Sequence, residues 1–267
     1  MEIGVLGFSG SRNIGDYVQT KAVIDILKTK HIKILDREKL HVYKGARIKT
    51  IVNGWFMENP KNWPPSKNID PLFISFHINP SIKQTFTNEE SIKYFKKHEP
   101  IGCRDYYTRD LLIEHGINAY FSSCITLGIK RKNYLKRQPE GIIVIGAFDR
   151  LKPLLDYKSP LKLIYSLFKY PFRFFNYEIK FNKFNNYLKK QKFEIKHCDQ
   201  ITKKSIDSHV EGIILAENML QKIAESEIII TSRIHAALPA LAMGLNVIFI
   251  DEGLNHRNHK MRLTGLK

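Results

Sequence analysis

The densest grouping of side chains able to do chemistry is Thr231-Ser232-Arg233-Ile234-His235. It follows Ile228-Ile229-Ile230, a β-branched run that reads as a buried strand, and precedes Ala236-Ala237-Leu238, which continues as helix. Thr231 or Ser232 can cap that helix, which puts Arg233 and His235 in its first turn. A helix start presents free N–H groups and about half a positive charge, so an arginine there is unfavourable by up to ~1 kcal/mol. A bound anion reverses that sign. Arg233 can fork onto a carboxylate or phosphate, and His235 can move protons near neutral pH. The competing reading pairs Arg233 with a local acid such as Asp251 and satisfies His235 from backbone. Pro239, without an N–H, should kink the helix near its start.

Two further strand ends carry polar groups. Residues 2–8 run into Ser9-Gly10-Ser11-Arg12-Asn13-Ile14-Gly15-Asp16, a glycine-bearing turn that opens a helix. It matches neither GxGxxG nor GxxxxGK[ST], yet it lets backbone and Asn13 approach a ligand closely. Asp16 is read first as an N-cap or first-turn acid. Glu99-Pro100-Ile101-Gly102-Cys103-Arg104-Asp105 repeats the arrangement, with Asp105 as cap and Arg104 projecting at the crevice. His77 closes another apolar run and reads as structural. His256 and His259 are only a weak metal pair, and no metal site is expected.

The elements that must hold these groups alternate apolar runs with helix-length patterns, as βα units in parallel sheets do. Strands are expected at 2–8, 48–53, 72–76, 99–103, 119–122, 141–146, 193–197, 227–231 and 246–250, and helices at 16–28, 105–115, 210–225 and after Arg233. The 267 residues then divide into two lobes, 1–129 and 130–267, joined by an exposed basic linker at 130–140.

Composition limits the partners. Lys plus Arg number 43 against 26 Asp plus Glu, a net charge of +17, which calls for an anionic partner. Between Lys130 and Lys204 there are 19 basic and 6 acidic residues, so +13 of the excess is concentrated there. Within 161–192 aromatic rings interleave with lysines, the composition of an interfacial membrane contact. The bland alternative buries half of those rings in a helix core. Single-stranded nucleic acid would also suit stacked rings on a basic groove, but no nucleic-acid partner is expected. Three dispersed cysteines without a CxxC pair imply neither zinc nor disulfides and fit a reducing cytosol, and neither a signal peptide nor a membrane span is expected.

In order and spacing, Asn13-Ile14-Gly15-Asp16 with Gln19, Gly102-x-Arg104-Asp105, Thr231-Ser232-Arg233-x-His235 and Gly244-x-Asn246-Val247-Ile248 resemble the polysaccharide pyruvyl transferase family. Pro64-Pro65-Ser66 and Phe121-Ser122-Ser123-Cys124-x-Thr126-Leu127 extend the likeness. The resemblance implies an α/β fold of two Rossmann-like, GT-B-like lobes with mostly parallel sheets, the N-terminal lobe facing the acceptor and the C-terminal lobe the donor. It implies phosphoenolpyruvate as donor substrate, no separate cofactor, and a sugar or lipid-linked oligosaccharide as acceptor that gains a pyruvate ketal. By motif, Arg233 and His235 fall at the donor, Arg104 helps hold its carboxylate or phosphate, Lys260 lies near the phosphate, Ser232 is substrate-binding, and Asn13 is on the acceptor side. His235 would protonate carbon and Asp16 would act as base toward the sugar hydroxyl. The family's fold would also carry a further helix after Met261–Leu263 and the residues that follow, returning to the N-terminal lobe. Cytoplasmic placement, peripheral on the inner face of the membrane through 161–192, is the matching location. The rivals are a GT-B-like glycosyltransferase using a nucleotide sugar, with Glu252 as a possible ribose acid, and a non-catalytic module that binds membranes.

Overall fold

Apolar runs bounded by glycine or polar turns form the strands, and a computed structural model describes residues 2–55, 59–155, 157, 159–254 and 260–265. His256 and His259, together with residues 266 and 267, lie outside the described residues. The first part of the chain forms β1 (Ile3–Gly7), β2 (Ser11–Asn13), α1 (Ile14–Leu27), β3 (Ile32–Asp36), β4 (Ile48–Trp55) and β5 (Ile69–His77). It continues with α2 (Lys83–Phe86), α3 (Glu89–Lys97), β6 (Ile101–Cys103), α4 (Tyr106–Glu114) and β7 (Ala119–Phe121). The second part forms β8 (Ile142–Ile145), α5 (Pro160–Lys189), β9 (Ile195–Cys198), β10 (Ile201–Ile206) and α6 (His209–Ala224). It closes with β11 (Ile228–Thr231), α7 (Ile234–Ala242) and β12 (Asn246–Phe249).

Two parallel sheets result, in the orders β3-β1-β4-β5-β6-β7 and β12-β11-β8-β9. The expected α/β class with mostly parallel sheets is the one observed. Parallel sheets are covered on both faces, which is why β8 is apolar and buried at every position. Both sheets share one continuous core, in which Leu6, Val52 and Phe73 join Ile143, Ile145 and Ile229. A second, smaller cluster of Ile142, Val144, Ile230 and Leu188 fills the space between the other face of the second sheet and α5.

The strand orders matter most for function. In each sheet a strand early in the chain lies between its successor and a later strand, so the direction of winding reverses beside it. The reversals fall between β1 and β4 and between β8 and β11. Open α/β sheets bind ligands beyond the carboxyl ends of such strands, because the flanking loops diverge there and leave a crevice.

Several expectations change in detail. The α1 helix starts at Ile14 rather than Asp16, with Asn13 as N-cap and Asp16 as the acid of its first turn, the second of the two places read for it. The β3 strand, the α3 helix and the antiparallel pairing of β2 with β10 were not anticipated. Residues 130–140 are largely exposed but are not a loose linker. Arg131 donates from Nε to the Ala224 carbonyl at 2.9 Å and from Nη2 to that of Ser226 at 2.8 Å, and buried Tyr134 donates to Asp25. The α7 helix continues through Pro239 to Ala242.

The α1 helix is clasped between the two parts of the chain. Its Tyr17 ring is fully buried, shares a 3.0 Å hydrogen bond with His209 Nδ1, and rests on Gly212 of α6. A Cβ at Gly212 would come within 2.5 Å of three Tyr17 ring atoms. Alanine ordinarily favours a helix interior over glycine by about 1 kcal/mol, whereas overpacking a closed core costs about 1–3 kcal/mol. Because Tyr17 has nowhere to move, Gly212→Ala should lower Tm by about 2–6 °C in a thermal melt; an unchanged or higher Tm would show that the helix contact is loose.

Candidate active site

The site grows from the reversal between β8 and β11. After Thr231 the chain leaves the sheet, and the Thr231 hydroxyl both donates to the Ile145 carbonyl at 2.6 Å and accepts the Arg233 N–H at 2.9 Å. Ser232 donates to the Gly146 carbonyl at 2.5 Å. The two strand ends are thereby locked together. Arg233 is itself the N-cap residue of α7, in place of Thr231 or Ser232, with no side-chain cap, and His235 lies in the first turn.

Arg233 is paired with Asp149 rather than Asp251, through a 2.6 Å contact from Nη2 to Oδ2. Lys152 lies 3.1 Å from the other oxygen of Asp149. Gly146, at φ 54°, makes room for this: a Cβ there would fall 2.6 Å from Asp149 Oδ2 and 3.0 Å from Arg233 Nε. Burial alone would raise the Asp149 pKa, but the hydrogen bond and charge of Arg233, helped by Lys152, hold it below the ordinary carboxylate value. The pKa of the neighbouring Arg150 also moves down, which for a guanidinium disfavours the charged form. Burial, reinforced by the charge of Arg233 and only partly offset by Asp149, lowers its pKa to about 10. Its Nε is buried with no hydrogen-bond partner among the described residues, and so is Nε of Arg233.

A pocket opens over these groups, lined by Asn13, Arg150, Gln200, Ser232, Arg233 and His235 among others. The first part of the chain supplies one wall. Asn13 Oδ1 accepts from Gln200 Nε2 at 2.8 Å and from the Gly15 N–H at 3.1 Å. A Cβ on Gly15 would lie 2.9 Å from Cβ of His235, so the start of α1 meets the start of α7 at the pocket. Asp16 stands behind Asn13. One of its oxygens accepts from Asn13 Nδ2 at 3.0 Å and the other from the Ser11 hydroxyl at 2.6 Å.

This arrangement of two guanidinium groups, an imidazole and amide side chains suits a small polyanion whose reaction moves a proton. The sequence profile described as polysaccharide pyruvyl transferase matches residues 13–253, from the Asn13 cap to the turn beyond β12. The chain belongs to that family. No functionally curated protein matches it in sequence. Among solved structures it is similar to an uncharacterized protein from Klebsiella pneumoniae, with 13% identity, a TM-score of 0.53, and coverage of 98% of this chain and 87% of the other. That likeness concerns the fold.

In this pyruvyl transferase family member the pocket unites Asn13, Ser232, Arg233 and His235, four of the residues singled out in the sequence. It does not include Arg104 or Lys260. Arg104 sits at the end of β6, 3% exposed, and none of its guanidinium nitrogens has a hydrogen-bond partner among the described residues; Asp105 Oδ2 is 3.8 Å from Nε. Asp105 caps α4 as expected and meets His77 Nδ1 at 2.5 Å. Burial opposes ionisation of Asp105, but His77 and Arg104 together hold its pKa below the ordinary value. Lys260 is exposed at the start of a short turn, Met261–Leu263. Just beyond it, Thr264 accepts the Tyr106 N–H at 3.3 Å, so the segment bearing Lys260 returns to the strand end bearing Arg104. Glu252 is ion-paired with Lys180 of α5. Among the described residues, no group of three His, Cys, Asp or Glu side chains could hold a metal ion.

Sequence reasoning missed Arg150, Gln200 and Asn53. Asn53 lies near the carboxyl end of β4, beside the first reversal, 1% exposed, with both side-chain polar atoms unpartnered among the described residues. No motif marks these three; strand order does.

The ion pair of Asp149 with Arg233 sets a pH dependence. The folded carboxyl titrates below its unfolded value of about 3.9, so the stabilisation is fully present above that value and is lost as pH falls through the folded one. Asp149→Asn should cost about 1–3 kcal/mol near neutrality, measured by urea unfolding, and the gap to wild type should narrow below about pH 4. A gap that persists undiminished in acid would rule the ion pair out as its source.

Proposed function

We propose that the chain transfers the enolpyruvyl unit of phosphoenolpyruvate to a sugar of a cell-surface polysaccharide or its lipid-linked precursor, releasing phosphate and closing a pyruvate ketal. The observation that carries this reading is the placement of Arg150 and Arg233 at one strand reversal, with Asp149 as partner to Arg233 and His235 in the same pocket. Like charges held together in a partly dry crevice favour an anion that bridges them. A phosphorylated three-carbon acid offers two anionic groups, one for each end of a cationic crevice.

In the reaction the methylene carbon gains a proton and C2 takes on oxocarbenium character. A sugar hydroxyl attacks C2, the C2–O bond to phosphate breaks, and a second hydroxyl closes the ketal. Of the two hydroxyl protons, one balances the new methyl group and the other leaves with phosphate. We assign His235 as the donor to carbon, because an imidazole can carry a proton near neutrality and lies at the pocket wall. Arg150 and Arg233 stabilise charge on the departing phosphate or the carboxylate. Arg104 and Lys260 lie outside this pocket, beside the end of β6, and serving the same anion requires the buried Arg104 guanidinium to become accessible. Asn13 and Gln200 face the sugar. Asp16 orients Asn13, and a role as base toward the hydroxyl requires its hydrogen bonds from Ser11 and Asn13 to open.

Phosphate release from phosphoenolpyruvate, followed with a panel of lipid-linked glycans, tests the reaction. Arg150→Gln and Arg233→Gln should each lower kcat/KM by about 10²–10³-fold. His235→Asn should lower kcat by about 10²–10⁴-fold while leaving calorimetric binding of phosphoenolpyruvate within a few fold. Calorimetry that finds uridine or guanosine diphosphosugars bound and phosphoenolpyruvate not bound would favour a nucleotide-sugar glycosyltransferase and overturn the proposal.

A further inference from the structure

The α5 helix carries two apolar stripes, and only one is used. Tyr177, Phe181, Phe184 and Leu188 recur at helical spacing and face the protein, where Phe184 meets Phe148 with ring centroids 5.1 Å apart and Leu188 joins the second core cluster. On the opposite side Leu161, Ile164, Phe168, Phe172, Phe175 and Ile179 are three or four residues apart and form a second stripe. The first five of these are between 63% and 81% exposed. Residues 160–176, about 25 Å of helix, bury little beyond Ser166. An apolar row of that length is far beyond the scattered surface residues of an ordinary soluble domain.

Charge identifies the occupant. The α5 helix holds six basic residues and one acid, Glu178. Lys162, Lys169, Arg173 and Lys180 follow one another at helical spacing along one flank of the outer stripe. A second copy of the chain laid on this face would bring two such cationic helices together, like charge against like. An anionic surface is complementary to both features at once: rings and aliphatic side chains enter the headgroup boundary while the flanking cations stay among the phosphates. Among the described residues no helix is long and apolar enough to cross a membrane, so the stripe suits lying along a surface.

We infer that the outer face of α5 docks on an anionic lipid surface, with the helix axis in the plane of the headgroups. The same helix borders the candidate active site. Tyr177 and Phe181 line a hollow with Gly146, Asp149 and Lys152, and Lys180 pairs with Glu252, two residues before Leu254 of the Arg233 pocket. Docking through the outer stripe therefore orients the crevice relative to the bilayer. The inference stands whether or not the donor is phosphoenolpyruvate.

Flotation of the full chain with vesicles tests it. Binding to phosphatidylcholine containing about one-third phosphatidylglycerol is expected at about 0.05 M salt, with at least a tenfold loss at about 0.5 M and little binding to pure phosphatidylcholine. The triple variant Phe168→Ser, Phe172→Ser, Phe175→Ser and the triple variant Lys162→Gln, Lys169→Gln, Arg173→Gln should each weaken binding by at least about tenfold with unchanged thermal melts, because the substituted rings are solvent-facing. Absence of flotation at low salt, or flotation unaffected by both variants, overturns the inference. So does a lipid-free dimer in light scattering that the serine variant converts to monomer, which would assign the face to a second copy. Tighter binding of a single-stranded oligonucleotide than of the anionic vesicles would likewise assign it to nucleic acid.

Discussion

Two guanidinium groups held at one strand reversal set the terms for the rest of the second sheet. The chain could have separated Arg150 from Arg233, yet β8 and β11 are adjacent and parallel, and both arginines lie in the turns that follow their carboxyl ends. The cost of that proximity is visible in Arg150, whose affinity for its proton falls through burial and the neighbouring charge. Asp149 answers part of it and is itself held ionised by the same arginine. Packing is organised around the arrangement, since Gly146 is the one residue type that leaves room for the Arg233–Asp149 contact. Electrostatic strain of this kind persists where an anion relieves it, so the cationic crevice is a property of the fold's geometry as much as of the side chains.

That geometry also explains what could be read beforehand. Ile228–Thr231 and the turn after it were legible because a β-branched run followed by small helix formers has few other interpretations. The Asn13 loop was legible as a glycine-bearing turn between a strand and a helix, and its amide reaches the Arg233 pocket. Arg150 was not. It lies in a basic stretch where arginines are common, and only the register of β8 against β11 distinguishes it from its neighbours. Gln200 depends on a still longer-range event, the antiparallel pairing of β10 with β2, and Asn53 on the reversal beside β1. Periodicity within a segment reports which face is buried; it carries no information on which segment will be adjacent. The competing reading pairs Arg233 with an acid and offers Asp251 as the example for that reason, Asp251 being nearer in sequence and Asp149 the partner in space.

The excess positive charge divides along the same lines. In the crevice, cations are partly buried, gathered around the single carboxylate of Asp149 and surrounded by hydrogen-bonded strand ends. On the outer flank of α5 they are solvated and spaced at helical intervals beside rings left exposed among the described residues. A single net charge thus conceals two electrostatic environments: one with short-range, weakly screened interactions and one that salt can silence. The crevice and the inner face of α5 meet at the turn that carries Asp149, Arg150 and Lys152.

What holds the two environments in register with the other sheet is α1. Its first turn touches His235 and Gln200, its Tyr17 is locked onto Gly212 and His209 of α6, and its Asp25 receives the Tyr134 hydroxyl. These contacts come from separate elements of the second part of the chain and converge on one fourteen-residue helix. A wall fixed at three heights cannot tilt without breaking buried contacts, so Asn13 is presented to the pocket at a distance set by packing rather than by loop mobility. Preorganisation of that sort favours chemistry in which charge develops at a defined point, since donors already in place need not reorganise as it forms. The glycines at 15 and 212 are the steric condition for it: at each, the missing side chain is the space into which the opposing element fits.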